Sequence, residues 1–156
     1  MDFYERSSKN SHLDTIRYEI GMLSYSCSEL RKDQERPEPE RNLLIDGFLL
    51  HFRNLVEFFS GTKHRFETNG RPADLSTTDS RAWAGRQLTP KEFEAIQDPV
   101  RALESKYFND ISQYLQHCTE RRFDEFKTWA IAQMRNDIAP IVRAFLESFC
   151  KQDLQS

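Results

Sequence analysis

Glycine and proline are scarce in this chain of 156 residues, at 5 and 6, which excludes collagen-like and linker-dominated architectures. Cysteine is scarcer still. Cys27, Cys118 and Cys150 make an odd set without CxxC spacing, so neither a disulfide framework nor a thiolate zinc site is indicated. No apolar run approaches the roughly 18 residues of a transmembrane helix. The opening MDFYERSSKN has no apolar core of the kind a secretory signal needs. The expectation is a cytoplasmic protein with no membrane contact. A net charge of −3 gives no global basic field to draw the molecule to nucleic acid. G-x-S-x-G, P-loop and other glycine-rich phosphate motifs are missing, which removes the commonest nucleophilic and nucleotide-binding devices.

What is present is charge, phenylalanine and helical spacing. Charged residues make up 30% of the chain and 12 Phe supply large core side chains, as long helices with solvated outer faces require. Leu13, Ile16, Ile20, Leu23, Cys27 and Leu30 repeat at three and four, a heptad-like seam that predicts a first helix from Asn10 or Ser11 to about Glu35. The PEPE segment opens a second helix that runs to Ser60, with Gly61 placed to end it. Its stripe is Leu44, Phe48, His51, Leu55 and Phe58, and Gly47 allows a neighbour to come close one turn before His51. Residues 62–88 show no periodicity. Thr89-Pro90-Lys91-Glu92 is a capping box for a short helix, and Asp98-Pro99 starts another carrying Val100, Tyr107, Phe108, Ile111, Leu115 and Cys118. A last helix, Phe123 to Phe149, runs through Phe126, Ala130, Met134, Ile138, Ile141 and Phe145, with a kink expected at Pro140. The fold class is all-α: one domain over 1–156, a four-helix bundle with a long decorated crossover between helices 2 and 3.

Candidate chemistry centres on histidine. A buried imidazole needs a partner, because an unpaired polar group costs about 1–3 kcal/mol. His51 has Asn54 one turn on and Arg53 at the edge, and His117 has Arg121 and Arg122 beside it. If the two helices meet, His51, Arg53, Asn54, His117, Arg121 and Arg122 form a polar cluster able to serve acid–base and phosphate chemistry. The alternatives are structural. His51 bonds a facing carbonyl, tyrosine or acid; Arg53 pairs with Glu57; Arg121 and Arg122 pair with Glu120, Asp124 or Glu125. Residues 62–88 carry five Lys/Arg against three Asp/Glu, with Trp83 among them, so RNA contact through this loop is a further expectation. No metal ligand set and no cofactor motif emerges.

FLLHFRNLVEFF (48–59) and YLQHCTERR (114–122) resemble the paired signatures FLLHxRNLxxFF and HxTxxR of an uncharacterised bacterial helical-bundle family. The matching positions are His51, Arg53, Asn54, His117, Thr119, Arg122 and Trp129, within residues 13–149. The bundle is also loosely similar to HEPN-like domains, many of which are RNases or partners in toxin–antitoxin and phage-defence systems. That likeness implies a dimer and an R-x4-6-H motif. The one match here, Arg6 to His12, lies at the extreme N-terminus. DinB-like metal proteins are similar in size and use a His plus an HxxxH pair, but the second motif here reads His117-Cys-Thr-Glu-Arg121, and arginine cannot ligate. The leading expectation is a non-enzymatic helical interaction module that binds a protein partner or forms a homodimer. The alternatives are a metal-independent RNase or other nucleotide-acting enzyme, and a metal-dependent bundle protein.

Overall fold

The computed structural model describes residues 12–32, 34–61, 90–116 and 129–150. Helix α1 spans His12–Arg31, α2 Glu38–Ser60, α3 Pro90–Leu103, α4 Asn109–Gln116 and α5 Ile131–Cys150. A π-helical turn, Glu104–Phe108, joins α3 to α4 without a break, so these three pieces act as one rod. Four rods result, and no strand occurs among the described residues.

Side-chain pairs set the topology. Glu19 meets His51 and Asn54, while Ser26 lies against Gly47, so α1 and α2 run antiparallel. Tyr107 bonds Asp137 and Tyr114 packs on Trp129, so the α3–α4 rod is antiparallel to α5. Phe52 touches Tyr107, whose partner is Asp137, and Phe58 touches Phe145, which makes α2 parallel to α5. The four rods therefore alternate up-down-up-down, and only the α1–α2 turn between them is short among the described residues.

Local chemistry explains the helix limits. Asp14 in the first turn and Arg31 in the last complement the dipole of α1. The helix stops at Arg31, short of the expected Glu35. The chain turns there: Lys32 N–H bonds the Glu29 carbonyl at 3.3 Å and Gln34 N–H bonds that of Lys32 at 2.8 Å. Lys32 and Arg36 also grip the Glu29 side chain, and these partners, Lys32 first, hold its carboxyl below the usual range. Helix α2 opens behind Pro37, with Pro39 and two acids in its first turn, and closes at Gly61 in the left-handed conformation (φ 75°), as its sequence predicts.

Two expectations are corrected. Asp98-Pro99 does not start a new helix; α3 runs through it. Proline removes one hydrogen bond, to the Ala95 carbonyl, and both Ala95 and Pro99 are exposed, so the loss falls on the solvent side of the helix. Helix α5 begins at Ile131, with Ala130 outside it, and continues through Pro140, where the orphaned Asn136 carbonyl also lies on an exposed face. Phe123, Phe126 and the 62–88 crossover lie outside the described residues.

Helix α2 is the centre of the core. Phe48, Leu49, Phe52, Leu55, Val56, Phe58 and Phe59 are all buried, a wider face than the expected single stripe. Each large apolar side chain so buried contributes about 1.5–3 kcal/mol. Phe145 of α5 sits edge-on to both Phe58 and Phe59 at 5.4 and 5.3 Å between centroids. The α1 seam is consumed in the same core: Ile16, Leu23 and Cys27 are buried, and Ile20 is left at its margin.

Gly47 sits where α1 and α2 approach, and a Cβ there would stand 3.4 Å from the Ser26 hydroxyl, an ordinary contact. Gly47→Ala should therefore raise stability by up to about 1 kcal/mol, the helix-propensity gain. Chemical denaturation measures it, and a loss of stability would show that the helices cannot take one methyl.

Candidate functional site

The α1–α2 seam contains one polar cluster. His51 follows from the apolar spacing of α2, which turns it toward α1, and it is only 7% exposed. Its Nδ1 lies 2.7 Å from Oε2 of Glu19. A carboxylate can only accept, so Nδ1 is the donor. The same oxygen takes a second bond from Asn54 Nδ2 at 3.2 Å. Tyr18, on the same turn of α1 as Glu19, packs edge-on to the imidazole at 5.8 Å.

Of the expected cluster, His51 and Asn54 come together, on an acid the sequence reading did not single out. Glu19 sits beside Ile20, off the apolar seam, and its spacing carries no sign of its role. Arg53 turns to the other side of α2. It donates to Glu57 at 3.3 Å, the i+4 pair anticipated, and its guanidinium lies over the Phe108 ring at 5.4 Å. His117, Arg121 and Arg122 lie outside the described residues, as does Thr119. Trp129 is half-buried against Tyr114. Cys27 is a buried free thiol in the core.

A second polar cluster joins the π-turn to α5. Asp137 accepts from Tyr107 Oη at 2.7 Å, Lys106 Nζ at 3.1 Å and Gln133 Nε2 at 2.6 Å. The π-turn makes this possible by bringing adjacent residues, Lys106 and Tyr107, to one carboxylate. The Tyr107 hydrogen bond, followed by those of Gln133 and Lys106, holds the Asp137 carboxyl below the usual aspartate range. Burial pushes the Tyr107 phenol up.

Chemically, both clusters are closed circuits: each carboxylate is met by donors from its own protein. Among the described residues no group of three His, Cys, Asp or Glu side chains is placed to hold a metal ion. A surface hollow of about 760 Å³ lies at the α1–α2 turn among Glu29, Lys32, Arg36 and Arg41, roughly 15 Å along the helix from Glu19. No helix among the described residues is long and apolar enough to cross a membrane. No protein family, curated protein or solved structure matches this chain.

Replacing His51 with Leu should cost about 1–3 kcal/mol by taking from the Glu19 carboxylate its shorter hydrogen bond in the seam. Removing both partners of the circuit, as Glu19→Leu with His51→Leu, should recover more than half of that loss. Urea unfolding of the two variants measures this, and equal or greater loss in the double variant would refute the coupling. For Asp137 the depressed folded value means its contribution is present above the ordinary aspartate value of about 3.9 and fades as pH falls through the folded value. Asp137→Asn should therefore flatten the decline in stability below about pH 4 relative to wild type. Parallel acid titration curves for the two proteins would rule that out.

Proposed function

We propose that this chain is a non-enzymatic helical interaction module, HEPN-like and of the bacterial stress or defence type, that pairs with a second copy of itself. One observation carries the reading: the outer face of the α1–α2 hairpin leaves large apolar side chains in solvent. Leu43 is 71% exposed, Leu50 44% and Tyr25 51%. Leu43 and Leu50 are seven residues apart, two turns and about 10.5 Å along one line of α2. Tyr25 stands on the facing helix between them, since Ser26 marks the level of Gly47. Two such α2 helices meeting antiparallel about a twofold axis set Leu43 of each against Leu50 of the other. That self-match is what an isologous contact requires. The HEPN-like part of the proposal draws only on the all-helical fold class.

The closed polar circuits point the same way. His51 and Asn54 already share Glu19, and Arg53 has Glu57, so these side chains support assembly of the bundle. The RNase alternative needs His117, Arg121 and Arg122 beside His51, and no observation among the described residues favours it.

Sedimentation equilibrium tests the proposal. At about 100 µM, well above a micromolar Kd, the wild type should be dimeric and the Leu43→Lys/Leu50→Lys variant monomeric with an unchanged circular dichroism spectrum. A monomeric wild type at that concentration would sink the self-association reading.

A further inference from the structure

The bundle is not closed between α1 and α5. A groove of about 370 Å³ runs along that seam, floored by Ile20 and Leu23 of α1 and by Ile138, Val142 and Leu146 of α5. Arg135 and Arg143 stand on its α5 wall, with Glu147 one turn beyond Arg143. Arg31 lies on the same side of α1, seven residues past Ser24, another lining residue. Among the described residues, none of Arg31, Arg135 and Arg143 enters an ion pair. Two unengaged guanidinium groups against one carboxylate make the groove's rim locally positive in a chain of net charge −3, with Arg31 about 10.5 Å beyond Ser24 along α1.

An apolar floor with a cationic rim defines the chemistry of what covers it. We infer that the groove binds an amphipathic helix of a partner protein, with apolar side chains on one face and acidic residues flanking them. The groove lies between two antiparallel helices, so a helix laid along it packs against both as a fifth member of the bundle. Arg135 and Arg143 are eight residues apart, about 12 Å along α5. Carboxylates seven or eight residues apart on one flank of a docked helix meet both. An acyl chain brings a single carboxylate and answers one arginine only. Guanidinium–carboxylate pairs at an exposed rim act chiefly by selecting the partner and its orientation, while the apolar floor supplies the burial. This site goes beyond the self-association proposal, because it occupies the edge of α1 away from Tyr25 and α2.

The test is fluorescence anisotropy with two labelled synthetic helices of about 18 residues, long enough to span the groove. Both carry the same leucine face; one has glutamate flanks and the other lysine flanks. The glutamate helix should bind the wild type at least about tenfold more tightly than the lysine helix. Arg135→Glu/Arg143→Glu should reverse that preference, and both positions are exposed, so thermal stability should not change. Leu43→Lys/Leu50→Lys should leave binding of the glutamate helix intact, which separates this site from the dimer face. The proposal is overturned if neither helix binds, if both bind equally, or if charge reversal leaves the preference as it was. It is also overturned if the reversal changes sedimentation of the protein alone, which would give the groove to a second copy. Binding of laurate without binding of the glutamate helix would give it to an acyl chain instead.

Discussion

One carboxylate oxygen sets where α1 lies on α2. Oε2 of Glu19 accepts from both His51 and Asn54, which stand one turn apart on α2. A hydrogen bond tolerates little displacement, so this two-point attachment fixes both the rotation and the level of α1. Apolar packing alone is non-directional and would permit a slide of one turn. With the level fixed, Ser26 arrives at Gly47, Tyr18 lies against the imidazole, and Ile16, Leu23 and Cys27 enter the core. The same rotation leaves Tyr25 facing solvent on one side of α1 and Ile20 at the groove on the other. Both surfaces proposed above as partner sites thus follow from one polar contact in the α1–α2 seam.

The second circuit differs in kind. Asp137 is partly open to water, and Lys106 beside it is exposed. Pairs of that sort are worth little in isolation because solvent screens them. Its strength lies in Tyr107, whose ring packs edge-on to Phe52 in the core while its hydroxyl reaches Asp137. Tyrosine joins an apolar body to a polar tip, and here that property ties α5 to α2 through the π-turn.

Much of this was legible in the sequence, and the reasons for the rest are specific. Helix α2 was readable at both ends because Pro37, Pro39 and Gly61 act locally. His51 was readable as a buried group needing a partner, and an acid was among the partners considered. Glu19 itself was not, since an acid at the margin of an apolar seam looks like any solvated residue until the facing helix is placed. The π-turn left a faint trace. Leu103, Tyr107, Ile111 and Leu115 are each four apart, and in a straight α-helix such a row drifts by about 40° per step. A turn closed at i+5 absorbs the drift. Pro99 misled because the rule for proline speaks of a lost bond and says nothing of its falling on the solvent side of a helix.

The placement of the two circuits also bears on how the chain finds its fold. Glu19 to His51 spans 32 residues and Tyr107 to Asp137 spans 30. Each joins rods consecutive among the described residues. What unites the two halves is different: rings of phenylalanine, among them Phe58 on Phe145, brought together across a far longer stretch of chain. The directional contacts are therefore the local ones, and the long-range contacts are forgiving of orientation. A chain arranged in this way meets its geometric demands inside two small hairpins, where the conformational search is short. The search left for their encounter needs only two greasy faces, which lowers the topological complexity on which folding rates depend.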